Sequence, residues 1–274
     1  MKIFIDTANL DEIKEALSWG IVDGITTNPS LIKKAVDYFK GKGKDFSMTS
    51  YIEELLATAG KESPVSLEVI GNTEEEMYRQ AKTLFEKFNG VAGNLVVKIP
   101  VNPETEEGGK NAFDGLKVIK ALSDEGIPVN VTLIMTPVQA LLAAKAGARY
   151  VSPFAGRIDD YLRSSKKIAF EKHDYFPAEG LVFGDEVLND NGIVSGVDLV
   201  GSIRDIFDNY DFETEILAAS VRNARQVREL AEVGADVATI PFVVLKDMVS
   251  HYKTREGMAK FAKDTVPEYK EIFE

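Results

Sequence analysis

A lysine sits inside an apolar run, Asn94-Leu95-Val96-Val97-Lys98-Ile99-Pro100. Such a run reads as a buried parallel strand, and lysine is almost never fully buried without a partner. An ammonium set among Val and Ile loses the solvation that holds its proton, so a neutral amine comes within reach. A neutral lysine amine is the nucleophile that adds to a carbonyl and forms a Schiff base. Three other readings stand beside that one. Lys98 could reach water at the strand end, form a plain ion pair, or bind phosphate without reacting.

Side chains alternate faces along a strand, and polar residues fall repeatedly on one face. Lys98 shares a face with Val96, Glu68 with Ser66, and Asn130 with Thr132, while the opposite faces are apolar. Asp6 opposes Ile3 and Ile5, Thr26 is in register with Asn28, Ser152 with Phe154, and Ser220 with Arg222. If apolar faces lie beneath outer helices, the polar faces point into a barrel, near the C-terminal strand ends where barrel active sites are built. A hydrogen-bonded polar layer without chemistry is the alternative, but seven strands contributing such residues exceed what core packing requires. Arg157 and Arg222 follow neighbouring strands, and paired guanidiniums with hydroxyls make a phosphate clamp. Either arginine alone could instead pair with surface acids.

The elements that must position these residues alternate along the chain. Strands are expected at Ile3–Ile5, Gly24–Thr27, Val65–Ile70, Leu95–Ile99, Val129–Ile134, Tyr150–Phe154, Thr214–Ser220 and Val237–Ile240. Helices are expected from about Asn9 to Trp19, with Asn9 and Glu12 as a capping-box variant, from Pro29, near Met48–Ala59, from Thr73 to about Phe88, to about Ser123, and at Pro137–Ala146. Gly41 to Ser47 and Pro103 to Lys110 read as loops. Eight strand–helix units predict a single closed (β/α)8 TIM barrel over residues 1–274. An open doubly wound sheet is the runner-up, but no glycine-rich dinucleotide fingerprint supports it. An insert after strand six, about 159–196, is too long for an ordinary loop and is expected to fold partly over the barrel mouth. Its Asn189-Asp190-Asn191-Gly192 reads as a turn. An extra C-terminal helix, Thr254–Phe273, is available to pack on the barrel or on a neighbouring subunit.

Composition narrows the chemistry. The chain has 274 residues, no Cys and two His, His173 and His251, in no shared motif. Disulfides and thiol nucleophiles are excluded, and a His-ligated metal or a Ser-His-Asp triad is not expected. A net charge of −12 without a basic stripe argues against nucleic acid and anionic membrane as partners. No apolar run approaches the roughly 18 residues of a membrane span. The N-terminus reaches Asp6 too soon for a signal peptide, so the cytoplasm is the expected location.

At these residues the chain resembles the transaldolase family, with its relatives the fructose-6-phosphate aldolases. The motifs are Phe4-Ile5-Asp6-Thr7, Gly24-Ile25-Thr26-Thr27-Asn28-Pro29-Ser30-Leu31, Val97-Lys98-Ile99-Pro100, Asn130-Val131-Thr132-Leu133 and Ser152-Pro153-Phe154-Ala155-Gly156-Arg157. The resemblance runs from Met1 to about Arg157 and resumes near Asp211; the insert departs from the compact members. It implies a (β/α)8 barrel, no cofactor, and Lys98 as the Schiff-base residue. It implies that Asp6 takes a proton as the substrate C3–C4 bond breaks, and that Glu68 with Thr132 moves protons through a water. Thr26, Asn28, Asn130, Ser152 and Phe154 would line the substrate; Arg157, Ser220 and Arg222 would hold its phosphate. The aldolase relatives carry Gln and Tyr where this chain has Glu68 and Phe154, which favours a transaldolase of the pentose phosphate pathway. A fructose-6-phosphate aldolase is the alternative, with a phosphosugar isomerase or epimerase and a non-catalytic sugar-phosphate sensor further off. A homo-oligomer is expected.

Overall fold

The computed structural model describes residues 1–42 and 47–274. Gly43 to Phe46, within the loop expected at Gly41–Ser47, lie outside the described residues. In chain order the elements are β1 (Lys2–Asp6), α1 (Leu10–Ser18), β2 (Gly24–Thr26), α2 (Pro29–Gly41), α3 (Met48–Ala59), β3 (Val65–Glu68), α4 (Glu74–Ala92) and β4 (Leu95–Pro100). Then come α5 (Asp114–Asp124), β5 (Val129–Ile134), α6 (Pro137–Lys145), β6 (Tyr150–Pro153), α7 (Ala155–Ser165), β7 (Val182–Phe183) and β8 (Glu186–Val187). The last are α8 (Gly196–Asn209), β9 (Glu215–Ala218), α9 (Ala224–Glu232), β10 (Val237–Ile240), α10 (Phe242–Asp247), α11 (Tyr252–Asp264) and α12 (Pro267–Lys270), followed by a 3₁₀ turn.

Eight parallel strands close in the order β1-β10-β9-β6-β5-β4-β3-β2. The alternation in sequence explains the layering. Outward residues such as Ile5, Ile25, Leu67, Val97, Val131, Val151, Ile216 and Ile240 join one large cluster with the helices. Inward residues near the strand starts, Phe4, Val96, Tyr150, Leu217 and Val237, form a separate apolar floor. The polar register therefore occupies only the upper part of the interior. Gly24 is paired with Phe4, and a Cβ there would lie 2.6 Å from the Phe4 ring, so the position takes glycine.

Side-chain oxygens cap the helices around the mouth, as expected of Asn, Ser and Thr at these positions. Asn28, Thr73 and Asn223 cap α2, α4 and α9. The capping box expected at Asn9 does not form: Asn9 accepts from Asp11 N, while Glu12 accepts from the Thr7 hydroxyl instead of reaching back. A reciprocal box forms at Thr136 and Gln139.

The insert divides in two. α7 lies at the mouth and α8 is the outer helix between β6 and β9. Between them, Arg163 donates to the Asp174 and Tyr175 carbonyls, and Tyr175 donates to Glu229. β7 and β8 pair antiparallel, and Asp190 bridges Ile193 around Asn191-Gly192, where φ values of 50° and 91° make the expected tight turn. The C-terminal helix is not continuous. Thr265 and Val266, just ahead of Pro267, are both in extended backbone and separate α11 from α12. No residue of α11 or α12 is buried. No described helix is long and apolar enough to cross a membrane.

Candidate active site

Lys98 is 4% exposed. It stands in register with Glu68 on one side and Asn130 on the other, so all three side chains enter the barrel together. Its Nζ lies 3.2 Å from Glu68 Oε2 and donates to the Thr27 carbonyl at 3.1 Å. The carbonyl is available because Thr27 follows the end of the short β2, with its own hydroxyl donating to Ser66 O. Beside this pair runs a set of buried hydrogen bonds. Asn130 Nδ2 donates to Ser66 Oγ at 3.1 Å, and the Ser152 hydroxyl donates to Asn130 Oδ1 at 2.7 Å.

Across the barrel, the Thr26 hydroxyl is shared between Asp6, at 2.9 Å, and Thr239. Burial raises the Asp6 carboxyl above its ordinary value, against the opposing pull of Lys98 and the Thr26 hydrogen bond. A carboxylate raised by burial is a stronger base than an exposed one. Thr132 is 1% exposed, and its hydroxyl has no hydrogen-bond partner among the described residues. β5 becomes irregular immediately afterwards, where Leu133 has φ 61° and the register against β6 shifts.

These residues line one cavity of about 680 Å3 at the C-terminal end of the barrel. Asp6, Thr26, Asn28, Glu68, Lys98, Thr132, Ser152, Phe154, Arg157, Ser220 and Arg222 all reach its wall. Asn130 does not; it is fully buried, bonded to Ser152 and Ser66. Asn28 Oδ1 accepts from Leu31 N as the helix cap, which fixes its amide nitrogen at the rim. A second depression, of about 460 Å3, lies at the opposite end near Asn94 and Arg149 and contains none of the predicted site residues.

Ser220 lines the cavity, but not as part of the strand expected over Thr214–Ser220. β9 ends at Ala218, and its inward residue is Leu217. On a straight strand Ser220 would share the outward face of Ile216 and Ala218. It reaches the cavity because its left-handed backbone, φ 63°, turns the chain. Gly156 sits against this turn: a Cβ on it would lie 2.2 Å from Ser220 O and 2.6 Å from Arg222 Nε.

At the mouth, Arg222 pairs with Asp160 from α7, and Arg222 Nε and Asp160 Oδ1 are buried with no hydrogen-bond partner among the described residues. The Arg157 guanidinium lies 4.9 Å over the Phe154 ring. Lys34 from α2 and Lys172 from the insert line the same cavity. Arg222, with burial and Lys34 adding, lowers the Lys172 ammonium below its ordinary value. A concentrated positive field therefore faces the mouth of an acidic protein. Sequence reasoning missed Thr239, although it is the one polar residue in Val237–Ile240 and alternation could have found it. It also missed Asp160, Lys34 and Lys172, for which no periodic signal exists.

A (β/α)8 barrel with a lysine–carboxylate pair low in its C-terminal cavity and guanidiniums above defines a class of barrel enzyme acting on small anionic substrates. The chain belongs to the Transaldolase/Fructose-6-phosphate aldolase family, whose model matches residues 3–273. A protein from Thermoplasma acidophilum named "Probable transaldolase" is 44% identical over 265 residues, covering 96% of this chain and 95% of that one. One of the same name from Aquifex aeolicus is 42% identical over 270 residues, covering 98% and 99%. Another from Hydrogenobaculum sp. is 42% identical over 264 residues, covering 96% of each chain.

Proposed function

We propose that this chain is a transaldolase. It moves a dihydroxyacetone unit from a ketose phosphate, sedoheptulose 7-phosphate or fructose 6-phosphate, to an aldose phosphate, as in the pentose phosphate pathway. The Lys98 amine adds to the ketone carbonyl, water leaves, and a cationic imine forms. Glu68, 3.2 Å from Lys98 Nζ, supplies and removes protons in these steps through a water also held by Thr132. Asp6 takes the C4 hydroxyl proton; the C3–C4 bond breaks and its electron pair passes to the imine nitrogen. The aldose phosphate leaves, and the enamine attacks the aldehyde of the next aldose phosphate; Asp6 returns its proton to the new C4 oxygen, and water hydrolyses the product imine to free Lys98. Thr26, Asn28, Ser152 and Phe154 orient the donor, and Asn130 acts through Ser152, whose hydroxyl it holds. Arg157, Ser220 and Arg222 hold its phosphate.

The observation that carries this reading is the Lys98–Glu68 pair, buried below a mouth lined by Arg157, Arg222, Lys34 and Lys172. The experiment is product partitioning. Sedoheptulose 7-phosphate plus glyceraldehyde 3-phosphate should give erythrose 4-phosphate and fructose 6-phosphate, with free dihydroxyacetone a minor product. Release of dihydroxyacetone as fast as fructose 6-phosphate is consumed would make the protein an aldolase. A single domain and a homo-oligomer belong to the same reading. The exposed Tyr252, Met258, Phe261, Tyr269 and Phe273 of the C-terminal segment support a second copy as the partner. Light scattering on the full chain tests this, and a monomeric mass would contradict it.

A further inference from the structure

We propose that Asp159 is a positioning residue for the phosphate site: through Gln226 it fixes the backbone of Arg222, and with its other oxygen it fixes the helix that carries Arg157. The inference rests on the reading of Arg157 and Arg222 as the phosphate clamp.

Asp159 is 3% exposed and Gln226 4% exposed. Asp159 Oδ2 accepts from Gln226 Nε2 at 2.7 Å, and Gln226 Oε1 accepts from Arg222 N at 2.8 Å. Asp159 Oδ1 accepts from Gly196 N at 2.7 Å, at the first residue of α8. The next residue, Asp160, takes the Arg222 guanidinium. Consecutive helix residues point about 100° apart, so one acid reaches into the protein and the other into the mouth. Together they close a ring, Asp159–Gln226–Arg222–Asp160, that holds Arg222 by backbone and side chain at once. α7, carrying Arg157 in its first turn, is locked to α8 and α9 by the same carboxylate. Close packing leaves little slack: a Cβ on Gly196 would lie 2.1 Å from Ala155 O.

The ring has a polarity that makes it testable. Both Asp159 oxygens accept, so Gln226 must present its NH2 to Asp159 and its oxygen to Arg222 N. An Asn at 159 offers one accepting oxygen where the carboxylate offers two. With its oxygen on Gly196 N, its NH2 faces the Gln226 NH2; if Gln226 turns over, its NH2 faces Arg222 N. Either way two buried donors oppose each other, a penalty that removal of one hydrogen-bond partner typically carries. Exchanging the acid and the amide, Asp159→Asn with Gln226→Glu, satisfies every group again at unchanged net charge and shape.

The test titrates inorganic phosphate into the full-length protein at pH 8 by calorimetry. Borohydride trapping of dihydroxyacetone on Lys98 reports the part of the site that the ring does not touch. Asp159→Asn should weaken phosphate binding about tenfold, the scale of one buried hydrogen bond, with trapping within about twofold of wild type. The exchanged double variant should recover the wild-type affinity within about twofold. If Asp159→Asn does not fold, Gln226→Met, which leaves Asp159 on Gly196, should show the same loss. Unchanged affinity in the single variant, a double variant as weak as the single, or trapping that falls in parallel with phosphate affinity overturns the proposal. A wild-type protein that is trapped but binds no phosphate overturns the clamp reading and this inference with it; loss of the variant effects alone overturns only this inference.

Discussion

Glu68 and Lys98 are direct neighbours on adjacent parallel strands, β3 and β4, and the register that pairs their backbones brings Oε2 to 3.2 Å from Nζ. Matched register sends both side chains inward at the same height. A carboxylate there can stabilise a cationic imine, which a neutral amide cannot. Glu68→Gln should therefore slow transfer on the order of 10²-fold, the scale of lost proton transfer, and raise the share of free dihydroxyacetone. Product partitioning with and without an aldose acceptor measures both; unchanged partitioning would contradict the role given to Glu68.

Asp6→Asn should lower kcat by about 10²- to 10⁴-fold while Lys98 still traps dihydroxyacetone, because only bond cleavage needs the base. Burial raises the Asp6 carboxyl above 3.8. Protonation removes the base, so activity should fall as pH drops, with an acid limb above the ordinary aspartate value. The pH profile of kcat/KM checks this; a limb at or below that value contradicts it.

Arg222→Ala should raise KM for phosphorylated donors, a loss on the order of 2–5 kcal/mol for a desolvated charge pair. Unphosphorylated donors should be affected far less. Steady-state kinetics with fructose 6-phosphate and fructose separate the two, and equal losses would place the phosphate elsewhere.

Burial pushes the Asp159 carboxyl up to about 7 from 3.8. Between these values the folded state binds more protons than the unfolded chain, so this residue's contribution to stability is fully present below 3.8 and is lost as pH rises through about 7. The stability of wild type minus that of Asp159→Asn should grow on acidification from pH 7 to 4, by on the order of 2–4 kcal/mol. Denaturant titrations at both pH values measure it. A pH-independent difference would contradict the raised carboxyl.

Much of the barrel was legible because period-two alternation is strong where one face meets helices and the other the interior. Lys98, Glu68 and Thr132 fell in place from that rule alone. Ser220 did not: its inward aim depends on a left-handed residue beyond the strand end, which alternation does not encode. Asp159 and Gln226 lie far apart in sequence and look like ordinary helix-surface residues, so only packing joins them. The short exposed β7 and β8 carry too few residues to show a period. The apolar floor of Phe4, Tyr150 and Leu217 was hidden because only the polar members of the inward face stood out.

The most direct measurement is reduction of the complex with fructose 6-phosphate by borohydride, followed by peptide mapping. The account predicts a reduced three-carbon unit on the peptide that contains Lys98. Labelling on another residue, or no labelling of an active preparation, would contradict it.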